Sequence, residues 1–125
     1  GLHVLMQHSE ENGGTELLAL IPGKVVHFPH DMTYADSKLK VPHMGWNELF
    51  QQKQTPLFAE LPEDFYLYFV HSFHAVCDDA YAIGKTHYGY KFVSAVQNGN
   101  IYGIQPHPEK SHENGLKIIE NFAKL

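Results

Sequence analysis

The run Phe65-Tyr66-Leu67-Tyr68-Phe69-Val70 is the most apolar stretch of the chain, and it does not alternate with polar residues. A continuous run of this kind predicts a strand buried on both faces, central in a layered α/β sheet. Functional residues tend to lie at the C-terminal ends of such strands, which here are His71, Ser72, Phe73 and His74. Further strands are expected over residues 24–28, 38–41, 80–88, 92–97 and 101–105. Asn98-Gly99 separates two of them and signals a two-residue hairpin turn. Three segments carry helical spacing instead. Residues 1–12, with Leu2, Leu5 and Met6 in phase, predict a short amphipathic helix closed by Gly13-Gly14. Residues 48–60 are expected to be partly helical and broken by Pro56. At the C-terminus Ser111 should cap a helix that turns Leu116, Ile119, Phe122 and Ala123 to the core. Residues 29–37 are polar and predict a loop. Pro42-His43-Met44-Gly45-Trp46-Asn47 predicts another, whose Met and Trp either cap the core or are exposed to anchor a partner.

Composition narrows the class. A chain of 125 residues that is 43% hydrophobic fits one small domain with a real core. The net charge is -5, and all nine cations are lysines. Without arginine, the preferred reader of phosphates and guanine edges, nucleic-acid binding is not expected. No apolar run is long enough to span a bilayer and no signal peptide opens the chain, so no membrane role is expected either. A single cysteine, Cys77, suits the reducing cytoplasm. Ten histidines raise the question of metal. The pairs His71/His74 and His27/His30 are spaced i, i+3, which on a strand sends the two rings to opposite faces. Neither a metal site nor a cofactor is expected.

The chemistry concentrates near the C-terminus, in Gln105-Pro106-His107-Pro108-Glu109-Lys110-Ser111. In an extended segment His107 and Glu109 point to the same side, and Pro108 restrains both the backbone between them and His107. A carboxylate that accepts from one imidazole nitrogen leaves the other free as a base towards a nucleophile. The competing interpretation is a surface turn. Cys77 is a poor candidate nucleophile, because Asp78 and Asp79 beside it disfavour a thiolate. No Gly-x-Ser-x-Gly elbow is present, and nothing around Ser72 marks it as activated. Local chemistry therefore yields an α/β domain with a His-Glu pair at a strand end and no visible nucleophile.

Three motifs occur in a telling order: Pro42-His43-Met44-Gly45-Trp46-Asn47, then Tyr68-Phe69-Val70-His71-Ser72-Phe73, then Tyr102-Gly103-Ile104-Gln105 leading into His107-Pro108-Glu109-Lys110-Ser111. Over essentially its whole length the chain resembles the glutamine amidotransferase subunits of imidazole glycerol phosphate synthase, within the class I glutamine amidotransferases. That resemblance implies a class I amidotransferase-like layered sheet with flanking helices, as a single domain over residues 1–125. It also implies a Cys-His-Glu triad in which His107 and Glu109 match the histidine and the glutamate. The family cysteine lies in a Gly-Ile-Cys-Leu-Gly-Met-Gln-type elbow. Aligning Gly1 with the first elbow glycine puts His3 at the cysteine, replaces the second glycine by Leu5 and shortens the next helix by about a turn. Aligning it with the second glycine needs only one exchange, glutamine to His3, and is preferred. The chain then begins two residues after the nucleophile, with the N-terminal strands of the domain missing.

The same resemblance assigns His3 to a substrate-contacting position and Glu11 to the amino group of bound glutamine, with the backbone of Ser72 and Phe73 holding the substrate. Pro106 replaces the usual phenylalanine and removes one N–H donor next to His107. Pro42, Met44, Trp46 and Asn47 are expected to face a (β/α)8-barrel cyclase subunit, the partner in a heterodimer. The implied activity is hydrolysis of glutamine and delivery of ammonia to that cyclase, which makes imidazole glycerol phosphate in histidine biosynthesis. The alternative is a non-catalytic domain of the same fold that docks the cyclase. Lacking the cysteine, this chain alone is expected to be inactive.

Overall fold

In the computed structural model residues 2–6, 8–10, 14–16, 20–29, 32–34 and 37–125 are described. They form a mixed α/β arrangement around a nine-stranded sheet in which β2-β1-β3-β8-β10-β9-β6-β7 are successive neighbours and β11 also pairs with β10. The strands in chain order are β1 (His8–Ser9), β2 (Thr15–Glu16), β3 (Gly23–His27), β4 (Thr33–Tyr34), β5 (Ser37–Lys38) and β6 (His43–Gln51). They continue with β7 (Asp64–His71), β8 (Phe73–Cys77), β9 (Ala82–Tyr88), β10 (Tyr90–Asn98) and β11 (Ile101–Ile104), before the helix α1 (His112–Ala123). β4 and β5 form a separate small hairpin. Within the large sheet only β1 and β3 pair in parallel among the described residues; the remaining ladders are antiparallel.

Several expected strands are present with small shifts in their ends. The 24–28 segment is β3, and 80–88 becomes β9 after a 3-10 turn at Asp79–Tyr81. The hairpin between β10 and β11 turns on Gly99 and Asn100, one residue later than the Asn98-Gly99 signal, with Gly99 at φ 60 in the first central position. That position demands the left-handed conformation glycine adopts freely.

The centre of the sheet is not where the apolar run placed it. β7 lies at one end of the strand order, and its burial alternates: Phe65, Leu67, Phe69 and His71 point inward, while Asp64 and Tyr66 are exposed. Tyr66 and Tyr68 make the run look continuously apolar, but a tyrosine can lay its ring on the surface and keep its hydroxyl in water. The strands covered on both sides are β9 and β10. Phe92, Ala95 and Ile83 enter one apolar cluster with Phe28, Leu49, Leu67, Phe69 and Ile118. Val93, Val96 and Ala82 enter a second, with Leu2, Met6, Ile21 and Val25.

Other expectations fail for tertiary reasons. The 42–47 segment is no loop: it begins β6, which pairs residue by residue with β7 from His43↔His71 to Phe50↔Asp64. The same strand takes in residues 48–51, and the helical remainder of 48–60 shrinks to a 3-10 turn at Pro56–Phe58. At the N-terminus the described residues form a 3-10 turn, His3–Leu5, followed by the β1 strand rather than by further helix. Leu2 and Met6 are nonetheless buried, as the apolar phase suggested.

The face of α1 is rotated from the expected one. Leu116, Ile119, Phe122 and Ala123 are exposed, and Gly115, Ile118 and Asn121 face the protein. One steric and one polar feature select this face. A Cβ on Gly115 would lie 1.9 Å from the Pro108 carbonyl oxygen, so only glycine lets the helix seat on that turn. The Asn121 amide donates to the carbonyls of Leu57 at 3.0 Å and Ala59 at 2.9 Å. The bond to the Leu57 carbonyl is buried, and burying a polar group is favourable only when it is hydrogen-bonded, so Asn121 belongs on the inner face.

Candidate active site

One edge of β10 is shared by two partners. Val93 faces Ala75 of β8, whereas Ala95 faces Ile104 of β11. Both strands lie across from β9, so they diverge along that edge, and the space between their ends is a groove of about 850 Å3. The N-terminal end of β8 brings Ser72 and Phe73 to it, and the exit of β11 brings Gln105, His107 and Glu109. His3 reaches the same groove because Gly103 permits close approach of the N-terminal turn: a Cβ there would come within 3.0 Å of the Leu2 Cα.

The His107–Glu109 pair is formed. Nδ1 of His107 donates to Oε1 of Glu109 at 2.9 Å, which leaves Nε2 available as a base. His107 is extended, at φ -98 and ψ 99, and Pro108 opens the 3-10 turn Pro108–Lys110 that brings Glu109 back to the ring. The Glu109 carboxyl is held below its ordinary range, first by its own backbone N–H and then by His107.

β7 fixes this segment in place. The His107 amide donates to the Tyr68 carbonyl at 2.9 Å, and the Tyr68 amide donates to the Ser111 hydroxyl at 2.9 Å. Ser111 in turn donates from Oγ to the His107 carbonyl at 2.6 Å. Ser111 does precede α1, but its hydroxyl joins the base to β7 instead of capping helix amides. Asn114 adds a bond to the Tyr66 carbonyl at 3.0 Å. The free edge of β7 is thus closed by the turn that carries the catalytic candidates, which also protects it from pairing with another chain.

The structure brings His3, Ser72, Phe73, His107 and Glu109 onto one groove. Nε2 of His3 is hydrogen-bonded to Oε1 of Gln105, a partner the motif comparison did not single out. Glu11 lies outside the described residues. Cys77 lies at the far end of β8 from Phe73, and burial, then Asp78 and Asp79, push its thiol pKa up. It is a packing residue. Among the described residues no group of three or more His, Cys, Asp or Glu could hold a metal ion, and no helix is long and apolar enough to cross a membrane.

The four expected interface residues divide between two faces. Met44 is 62% exposed and Trp46 48% exposed on the outer face of β6, where Trp46 meets Tyr68 edge-on and stacks on His112 at 5.4 Å. Pro42 is exposed at the head of that strand. Asn47 points the other way. Its amide nitrogen donates to the His87 carbonyl at 2.9 Å and reaches Nε2 of His43 at 3.2 Å. The buried pair His43–His71, at 2.9 Å between Nδ1 and Nε2, was not recognisable beforehand, because the two residues meet only through the β6–β7 register.

Comparisons with known proteins follow the same lines. The glutamine amidotransferase class-I family pattern matches residues 10–125. The imidazole glycerol phosphate synthase subunit HisH of Sulfurimonas denitrificans is 60% identical over 125 residues, covering 99% of this chain and 59% of the relative. The subunit of the same description from Wolinella succinogenes is 44% identical over 126 residues, with 100% and 60% covered. The chain therefore spans about 60% of the length of these curated relatives. In three dimensions it is similar to a Thermoplasma acidophilum protein described as a GMP synthase subunit, with a TM-score of 0.60 at 18% identity, covering 82% of this chain and 47% of the other. At that identity the likeness concerns the fold alone. With a family match across all but the first nine residues, the chain belongs to the class-I glutamine amidotransferases.

Proposed function

We propose that this chain carries the base and the orienting carboxylate of a glutamine-hydrolysing site, in the glutaminase subunit of imidazole glycerol phosphate synthase. The observation that supports this most is the 2.9 Å contact from His107 Nδ1 to Glu109, with both residues on the groove that also holds Ser72 and Phe73. In the proposed reaction a cysteine thiolate, which Cys77 does not provide, attacks the side-chain carboxamide of glutamine. Nε2 of His107, having taken the proton of that cysteine's thiol, gives it to the departing nitrogen, so ammonia leaves and a glutamyl thioester remains. Water then attacks the thioester while Nε2 takes its proton, releasing glutamate and restoring the thiolate. Glu109 keeps the proton on Nδ1 and stabilises the imidazolium that exists before ammonia leaves and forms again as water attacks.

In this proposal the domain occupies residues 1–125, and the backbone of Ser72 and Phe73, with His3 and Glu11, holds glutamine. Ammonia passes to a cyclase subunit in a heterodimer, in the cytoplasm, for histidine biosynthesis. Met44 and Trp46, exposed on the outer face of β6, supply the apolar anchors for that partner. The test is a glutaminase assay of the full-length protein in complex with the cyclase. His107→Asn is expected to lower kcat by about 10²–10⁴-fold, the usual contribution of a positioned acid–base, with little change in KM. Unchanged kcat would overturn the assignment of His107. The 125-residue chain alone should release no ammonia, and release would overturn the assignment of Cys77 as a packing residue.

A further inference from the structure

Beneath the groove, a line of hydrogen bonds runs from β6 to the Phe73 carbonyl. The Asn47 amide nitrogen lies 3.2 Å from Nε2 of His43. Nδ1 of His43 lies 2.9 Å from Nε2 of His71, and Nδ1 of His71 lies 2.8 Å from the Phe73 carbonyl oxygen. Both ends have fixed polarity. A carbonyl only accepts, so Nδ1 of His71 must carry a proton. At the other end the Asn47 amide cannot be reversed. Its Oδ1 accepts from the Glu48 N–H at 2.8 Å, and its nitrogen donates to the His87 carbonyl at 2.9 Å. A reversed amide would set oxygen against oxygen and N–H against N–H. The amide nitrogen therefore donates to His43 Nε2, which must be bare, and the proton on His43 Nδ1 goes to the bare Nε2 of His71. One arrangement satisfies all three contacts: both rings neutral, both protonated on Nδ1.

The surroundings hold the rings in that state. His43 is 3% exposed and lies between Tyr88, at 4.0 Å and 17°, and Phe69, at 4.9 Å and 20°. His71 is 7% exposed against Phe28 and Phe92. Burial pushes their pKa values down, to about 4 for His43 and about 3 for His71. The charged forms of His43, His3 and His74 would oppose protonation of His71 further, and among the described residues no carboxylate offsets this at either ring.

We infer that His43 and His71 are positioning residues for the groove: through one tautomer each, they fix the orientation of the Phe73 peptide from the Asn47 amide on β6. This rests on the proposal that the Ser72–Phe73 backbone holds glutamine. It adds a physical reason for that backbone to be rigid, since the Ser72 carbonyl is also taken, by the Phe28 N–H at 3.0 Å. Two of its peptide oxygens are thereby pinned from opposite elements.

The test uses the full-length protein in its cyclase complex, with KM and kcat for glutamine measured separately. An asparagine nitrogen reaches about as far as the Nδ1 of histidine, so His71→Asn keeps a donor for the Phe73 carbonyl and His71→Leu does not. His71→Leu is expected to raise KM about tenfold or more, the equivalent of one buried hydrogen bond, while His71→Asn stays within about threefold of wild type. His43→Phe and His43→Asn should show the same contrast, more weakly. Unchanged KM in His71→Leu, or equal damage in His71→Asn, would overturn the inference. If His71→Leu fails to fold, ¹⁵N spectra of the wild-type imidazoles decide. Both rings should be neutral with Nδ1 protonated from about pH 5 to pH 8, and a bare Nδ1 on His71 would overturn the inference. A wild-type complex without glutaminase activity would instead overturn the amidotransferase proposal, and with it the substrate part of the inference, whatever the tautomers.

Discussion

Gly115 occupies a helix interior, where replacement by alanine ordinarily gains about 1 kcal/mol. Here the added methyl would meet the Pro108 carbonyl at 1.9 Å and the Ser111 Cβ at 2.8 Å. The nearest atom is backbone, so neither partner can rotate away, and the helix must lift from the turn that carries His107 and Glu109. Gly115→Ala is therefore expected to destabilise the chain by about 1–3 kcal/mol, the usual cost of overpacking, as read from urea denaturation. A gain in stability would show that α1 does not rest on that turn. The residue scale also explains what could be recognised from sequence. His107 and Glu109 lie two apart, so their contact is local, although the 3-10 turn opened by Pro108, not an extended run, brings the carboxylate to the ring. The His43–His71 contact needs the register of two strands joined through residues 52–63, and no local pattern carries that information.

At the scale of elements, the strands announced by periodicity and by the Asn-Gly turn were legible: β3, β9, β10 and β11 fall close to their expected places. β6 was not, because Pro42 just ahead of it and Gly45 in its first residues signal a turn in isolation, and pairing with β7 outweighs that tendency. The helix shows the converse failure. Its position was legible but its face was not, since the strongest apolar stripe, Leu116, Ile119 and Phe122, stays exposed. Asn121 and Gly115 turn inward for a hydrogen-bonding and a steric reason that hydropathy does not register. The two faces give opposite mutational outcomes. Ile118, 3% exposed, enters the larger apolar cluster, and Ile118→Ala should cost about 2–4 kcal/mol. Phe122, 58% exposed, should tolerate Phe122→Ser within about 0.5 kcal/mol in the 125-residue chain. Thermal denaturation of the two variants side by side checks this. A larger loss from Phe122→Ser would restore the face that the sequence pattern indicated.

For the whole molecule, the buried histidines couple folding to acidity in a window of their own. In the unfolded chain His43 and His71 titrate near 6.5; in the folded one, burial lowers them to about 4 and about 3, and His74 moves in the same direction. Charged Glu10 favours protonation of His74, and charged His3 opposes it. Between those values the unfolded chain binds protons that the native one refuses, so stability rises with pH across the window. It is complete above about pH 6.5 and declines as the pH falls towards 4, by up to about 1.4 kcal/mol per pH unit for each histidine. Two such residues give roughly 3 kcal/mol per unit, and over two units that approaches the whole stability of an ordinary domain. The paired carboxylates do not confuse the result. Glu60 and Asp79 are lowered by Lys117 and Lys85 from ordinary values of 4.5 and 3.8, so their contributions fade only below that range. Urea midpoints measured from pH 7.5 to pH 4.5 should therefore fall steadily below about pH 6.5. His43→Phe, which keeps an aromatic ring between Tyr88 and Phe69 but removes one titrating group, should flatten the slope by about 1.4 kcal/mol per unit, even as it lowers stability at neutral pH. A midpoint that stays level down to pH 4.5 would mean that the rings are already protonated in the fold, and the neutral hydrogen-bonded line from Asn47 to Phe73 would not exist.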